Sequence, residues 1–427
     1  MMPSLLQSRN GRVIALYTLV LIAMVSVSKS EQDYSMVIRL GLFGAVMLPV
    51  FFSREYIIFS FTCFYAINST SFCRLLPSDE YYYVILIILA FMLSPKSQES
   101  VHRMMKAFFA ITPFLLLSLV WGDAQEFLLW WTVCLLFIPL LESEGQLKLL
   151  IFSFPVVSLV LSLLYLLNQS YFIFSYSGDM ERSNWINPNQ FGGIIAVGIV
   201  MGVALLLKQF RIKISKWDSI LLLTCVCTSF VVIVMNASRG SFLASSVASL
   251  ILIFLSDVKS RYKILLVAGL CLFTFALWES GIFELLVFRM EADTASTAGS
   301  RSLIWTEKLK AFSDDSGFLH YLIGTGGRTG AEAIGYSAGI TNMSTHNDFV
   351  TAVVGFGVPC FLYFIYLLCY PFLHMPKGHG RIVFAVMTLF IAIECSVLEP
   401  MFRGYVIYVM LYIFLYSYCM YERKQEI

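Results

Sequence analysis

The chain has 427 residues, of which 59% are hydrophobic and only 13% charged, and its formal net charge is +2. Soluble domains carry about 25% charged residues, so a soluble fold of this length could not cover its surface, and a charge so near zero gives no electrostatic footprint for a nucleic acid. The ten cysteines fall mostly inside apolar runs, without a CxxC pair or a Cys/His cluster of metal spacing. They read as small buried hydrophobes, and neither a metal site nor a cofactor is implied.

A helix needs about 20 apolar residues to cross the hydrocarbon core. Runs of that kind have approximate cores at 12–28, 36–52, 56–72, 81–94, 107–121, 126–141, 149–168, 191–207, 219–236, 241–256, 264–288, 347–373, 382–398 and 405–420. Several are short, so the expected fold is an all-α polytopic membrane protein with about 12–14 transmembrane helices. Arg9 and Arg12 precede the first run, and no small-x-small cleavage site follows it. The organisation expected is N-terminal membrane helices over 1–168, central helices with a first outer loop over 169–288, a long loop over 289–346 and C-terminal helices over 347–427.

Orientation follows from the basic residues, because short cytoplasmic loops are enriched in Lys and Arg. With the N-terminus inside, 18 of them, such as Arg54, Arg103, Lys148, Lys213, Lys263 and Arg381, fall in inner segments. Only Lys29, Arg74, Arg182, Arg239 and Arg403 fall in short outer loops. Both termini are then cytoplasmic and both long loops extracytoplasmic, as in a multi-pass protein of the bacterial inner membrane. No P-loop is present to couple the chain to a nucleotide.

The first outer loop ends Arg182-Ser183-Asn184-Trp185-Ile186-Asn187-Pro188-Asn189-Gln190-Phe191-Gly192-Gly193. The Asn-Pro-Asn-Gln turn feeds a helix start, and Trp185 is either an interfacial anchor or a stacking platform for a sugar. Next, Asn236-Ala237-Ser238-Arg239-Gly240 breaks two apolar runs. Arg239 is there either a snorkelling arginine or an anion clamp beside a helix N-terminus. In the long loop, Gly299-Ser300-Arg301 precedes Trp305, Leu309 and Phe312 at helical spacing, which predicts an amphipathic interfacial helix with Arg301 in its first turn. The segment Gly324-Thr325-Gly326-Gly327-Arg328 is either a backbone cradle for an anion or an ordinary loop. Finally, His346 stands before a helix that Asn347 and Asp348 can cap. It is either a surface or capping residue or a base whose neutral imidazole takes a proton from a hydroxyl near pH 7, with Asp348 either capping the helix or orienting the ring; as a base it makes activity fall below about pH 6.

Taken together, Ser238-Arg239-Gly240, Gly299-Ser300-Arg301 with Trp305, Gly324-Thr325-Gly326, and His346-Asn347 with Gly355 and Gly357 resemble the O-antigen ligase and polymerase superfamily, the Wzy_C family. The Asn187–Gly192 stretch is similar to that family as well. The resemblance covers about residues 180–360. It implies a fold related to the GT-C glycosyltransferases, with short amphipathic helices in the long loop, a periplasmic active site and metal-independent transfer from an undecaprenyl-diphosphate-linked glycan. It further implies that Arg239 and Arg301 bind the donor diphosphate and that His346 is the base. Arg182, Arg328, Trp185, Asn189 and Asn347 are further substrate-binding candidates. The partners implied are lipid-linked donor and acceptor glycans, with a chain-length regulator as a further candidate. Two Arg-x10-Gly patterns, Arg182 to Gly193 and Arg328 to Gly339, resemble the arginine loops of O-antigen polymerases and favour a polymerase over a ligase. A flippase is the rival from another class. It would place charge at mid-membrane and repeat its halves, whereas here Arg39 is the only basic residue inside an apolar run, with Glu279, Glu284 and Glu394 as acidic candidates.

Overall fold

The computed structural model describes residues 56–59, 61–62, 87–88, 91–92, 96–123, 131–167, 188–284, 286–287, 301–315, 317–336, 340–376, 380–403 and 405–426. Among them the regular structure is helical throughout: α1 (Gln98–Trp121), α2 (Glu144–Leu167), α3 (Pro188–Leu206), α4 (Lys216–Met235), α5 (Arg239–Leu255), α6 (Ser260–Glu279), α7 (Arg301–Asp315), α8 (Phe318–Ile323), α9 (Gly327–Ala333), α10 (Asp348–Phe356), α11 (Val358–His374), α12 (Gly380–Val397) and α13 (Val406–Glu426). Six are long and apolar enough to cross a membrane: α1, α2, α3 from Asn189, α4, α6 and α12. The outward side chains demand a lipid solvent, since Leu272 on α6 is 70% exposed beside an exposed Ile264, Leu265 and Phe275. The chain is an all-α polytopic membrane protein.

The contacts divide the chain into two compact units, Met1–Pro95 with Leu140–Phe283 and Lys96–Pro139 with Glu284–Ile427. In the first, α3 packs against α2, α4 and α5. Between helices in a bilayer, close packing and hydroxyl bonds replace the hydrophobic effect, and small residues let backbones approach. A Cβ on Gly192 of α3 would overlap the side chain of Ser238, and one on Gly198 would overlap that of Ser158. Ser158 in turn donates to the Ile195 carbonyl at 3.1 Å and lies 2.6 Å from the Ser229 hydroxyl of α4. α4 starts on a capping box, Ser215 accepting from the Asp218 N–H and Asp218 from that of Ser215. Lys148 of α2 pairs with that same Asp218 at 3.2 Å.

The second unit holds the long loop. The apolar run expected as one span over 347–373 is two helices here, α10 and α11. The break is Gly357, whose φ of 88° lies where side-chain-bearing residues rarely go. Pro359 then fits the first turn of α11. Phe402 anchors the turn after α12, stacked on Phe356 at 4.9 Å and meeting Phe364 at 5.2 Å and Phe114 at 5.6 Å. The Trp131 indole donates to the Met401 carbonyl at 3.1 Å. Beneath this turn lies an apolar cavity of about 340 Å³, lined by Phe114 and Phe402 together with Tyr363, Tyr366 and Tyr412.

Candidate active site

Arg301 is the first residue of α7, as the motif spacing predicts. The buried face of that helix is not the predicted one. Leu309 is exposed, and the inward residues are Ile304, Lys308, Ala311 and Phe312, with Trp305 partly covered. Phe312 forms a small core with Ala331, Val350 and Val354, and the Trp305 indole donates to the Thr345 carbonyl at 2.9 Å. Lys308 is wholly buried and donates to the carbonyls of Ala331 and Glu332, both at 2.8 Å, and of Ile334 at 3.0 Å. Those are the orphan acceptors at the end of α9, so the lysine is an internal C-cap. Burial pushes its pKa down to about 8, against the pull of Glu332 and Glu399, which leaves it an ammonium at neutral pH. Lys308→Met keeps the apolar stem and removes the donors. Unsatisfied buried acceptors cost about 1–3 kcal/mol each, so the variant is expected to lose roughly 3 kcal/mol of local stability, read as faster proteolysis within 301–346. Unchanged protease resistance would show that the cap does not hold the loop together.

The glycines of the 324–330 segment serve packing. A Cβ on Gly324 would overlap the Gly355 carbonyl, and one on Gly355 would overlap that of Gly327. Thr325 bonds the Val354 carbonyl through both its N–H and its hydroxyl. Asp123 accepts from the Thr329 N–H at 3.1 Å, so a carboxylate already occupies the start of α9. Of the two readings of this segment, an anion cradle or an ordinary loop, the space of the first is taken by the protein's own backbone and by Asp123. Arg328 pairs with Glu332 at 2.8 Å, one turn along the same helix.

His346 stands next to Asn347, the N-cap of α10, at the place expected of it, with a left-handed φ of 48°. Asn347 caps that helix: its Oδ1 accepts from the N–H groups of Phe349 and Val350, and its Nδ2 donates to the Ser396 carbonyl. The side chain is therefore engaged within the protein. Asp348 does not orient the imidazole; its carboxylate accepts from the N–H groups of Met401 at 2.9 Å and Phe402 at 3.1 Å. Among the described residues neither ring nitrogen of His346 makes a hydrogen bond. Burial, with Arg301 and Arg403 beside it, pushes its pKa down to about 4, and Glu399 opposes them. The acid limb expected near pH 6 moves lower accordingly, because a buried imidazole between cations resists protonation.

Arg403 and Glu399, four residues apart, are the residues whose partnership with the long loop the sequence hides. Arg403 donates from Nε to Glu399 at 3.1 Å, and from Nη2 to Glu332 at 3.1 Å and to the Ser344 hydroxyl at 2.6 Å. Burial works against its cation, but Glu399, Tyr405 and Glu332 more than offset that, so its pKa lies above the ordinary value. A chain of charge thus runs from Arg328 through Glu332 and Arg403 to Glu399, next to a neutral histidine. Such an arrangement can hold an anion at the arginines and accept a proton at the imidazole. Among the described residues no three His, Cys, Asp or Glu side chains converge as a metal set.

In the other unit, Arg239 opens α5 after a turn in which Ala237 has a φ of 51°. Ser238 is its N-cap but makes no capping bond from its side chain, and its hydroxyl is buried with no partner among the described residues. The Asn-Pro-Asn-Gln and Ser-Arg-Gly segments meet there, Gly192 lying directly on Ser238. Asn189 sits half-buried in the first turn of α3. Arg182, Trp185 and Gly339 lie outside the described residues.

A protein-family model described as O-antigen ligase, Wzy_C, matches residues 223–365, about a third of the chain. The match includes Arg239, Arg301, Arg328 and His346. The chain carries a Wzy_C domain. At family level that domain supports glycosyl transfer of the O-antigen ligase and polymerase kind on lipid-linked substrates. No curated protein matches the chain.

Proposed function

We propose that the chain transfers a glycan from a polyprenyl-diphosphate-linked donor to a sugar hydroxyl of a lipid-linked acceptor, at the outer face of the bacterial inner membrane and without a metal ion. The observation that carries the reading is the half-buried imidazole of His346, held neutral beside the Arg301 and Arg403 cations, with His346 and Arg301 inside the Wzy_C match and Arg403 beyond it. The acceptor oxygen attacks the anomeric carbon and gives its proton to His346, while the bond from that carbon to the diphosphate breaks. The electron pair leaves with the diphosphate, where negative charge develops and fixed guanidinium groups are most useful. Arg301 takes this role within its unit. Arg239 is assigned the same role from its motif and its position at an N-terminus whose cap residue makes no side-chain bond.

Polymerisation of repeat units is the leading form of the reaction, on the strength of the paired Arg-x10-Gly patterns. Ligation to lipid A-core is the second reading, favoured by the description of the matched family. Glycan analysis of a deletion strain separates them. Loss of long chains while single repeats stay attached to core indicates the polymerase; loss of every attached repeat indicates the ligase.

The orientation has its own test. Reporters fused after Lys216 and Lys263 are expected to signal cytoplasm, and those near Trp185 and Gly327 periplasm, because the basic residues are so unevenly divided. A cytoplasmic signal at Gly327 would cut His346 off from an external acceptor and sink the proposal.

A further inference from the structure

We propose that Glu399 is a positioning residue that clamps the turn holding His346, and that it acts neither as acid nor as base. The inference rests on the reading of His346 as the base. Glu399 is completely buried, with a left-handed φ of 64°, and His346 has the same unfavourable backbone conformation. Such conformations cost about 1–3 kcal/mol each and persist only where the surroundings enforce them. The enforcement is visible in the bonds. One carboxylate oxygen of Glu399 accepts from the Ser344 hydroxyl at 2.9 Å and from Arg403 Nε at 3.1 Å. The other accepts from the hydroxyls of Thr345, at 3.0 Å, and of Thr351. Ser344 then accepts the backbone N–H of His346 at 3.3 Å, as well as Arg403 Nη2.

Two of the four donors thus come from the residues just before His346, and a third from the helix just after it. With four donors on two oxygens, Glu399 has little acceptor capacity left for a substrate proton. Only a carboxylate accepts from all four; an amide in its place would turn one oxygen into a donor, which cannot accept from the two groups it faces. The charge has a second consequence. His346 is faced by Arg301 of α7 and by Arg403 and Glu399 of the turn after α12. Glu332 and Arg328 of α9 join that set through Arg403, Lys308 lies behind α9, and Asp348 opens α10. Glu399 favours the imidazolium, whereas Arg301 and Arg403 disfavour it.

The test pairs transfer kinetics with histidine-resolved ¹⁵N NMR of the full chain in nanodiscs, using His346→Ala to identify the resonance. In Glu399→Gln, kcat is expected to fall about 10- to 100-fold while the donor KM changes little, and His346 is expected to become harder to protonate. Arg403→Gln is expected to make it easier to protonate. Ser344→Ala, which cuts one strand of the clamp without touching a charge, is expected to lower kcat and leave the titration nearly in place; it also serves if Glu399→Gln does not fold. Unchanged kcat in both Glu399→Gln and Ser344→Ala would overturn the clamp. Shifts of the same sign in the two Gln variants would also overturn it, since general loosening of the loop does that. A fully active His346→Ala protein would instead defeat the base assignment, and the NMR comparison would still report on the clamp.

Discussion

Replacing His346 with alanine is expected to abolish glycan transfer while leaving membrane insertion and donor binding intact. A sugar hydroxyl is a poor nucleophile, and a positioned base is worth about 10²–10⁴-fold in rate. The ring nitrogens make no hydrogen bond among the described residues, and the pKa lies near 4. The imidazole is therefore neutral and able to accept a proton throughout the physiological range. The sign of the pH effect follows. A depressed pKa means that the basic form persists as pH falls, so kcat/KM is expected to stay flat below pH 6 and to drop only towards about pH 4–5. A bound diphosphate adds negative charge beside the ring and raises its pKa, so the limb in kcat should lie above the limb in kcat/KM. His320, in the short helix α8, serves as the control, and His320→Ala is expected to be active. Full activity of His346→Ala with an unaltered pH profile would remove histidine from the mechanism.

The second large effect is expected at the arginines. Arg301→Lys and Arg239→Lys should each lose most activity while the protein still reaches the membrane. Lysine keeps the charge but not the planar fork that engages two phosphate oxygens together. Loss of bonds to the developing diphosphate charge would appear in kcat, by about 10²–10³-fold if they act mainly in the transition state. Donor binding to each variant, measured separately, distinguishes a lost ground-state contact from a lost transition-state one. Two fully active lysine variants would show that attraction by a point charge suffices, and bidentate recognition would be wrong.

The parts of this picture that were legible in the sequence are those written in local order. Arg301 and His346 each stand at the edge of a helix, and helix starts carry residue signatures that a linear reading can use. The lipid surface follows from a composition so poor in charge, and the helical class from the continuous apolar runs, which are long enough to cross the hydrocarbon core as helices. What the sequence conceals is long-range. Glu399 and Arg403 lie more than 50 residues from Ser344, Thr345 and Glu332, and nothing in a list of outer-loop charges pairs them. Lys308 is concealed for another reason: a lysine reads as part of a solvated face, and the helical spacing of Trp305, Leu309 and Phe312 points the helix another way. Only the end of α9, with three carbonyls converging, makes a buried ammonium favourable there. The glycines mislead in the opposite direction. A Gly-rich loop suggests an anion cradle, but the same absence of Cβ lets α8, α9 and α10 touch backbone to backbone.

The most direct measurement of the central claim uses the purified full chain in nanodiscs with a polyprenyl-diphosphate-linked repeat unit as both donor and acceptor, a chelator present, and no nucleotide or ion gradient. The account predicts a ladder of lipid-linked oligomers with release of polyprenyl diphosphate, lost in His346→Ala. Repeat units that are only moved across the bilayer, with no change in glycan length or attachment, would contradict it.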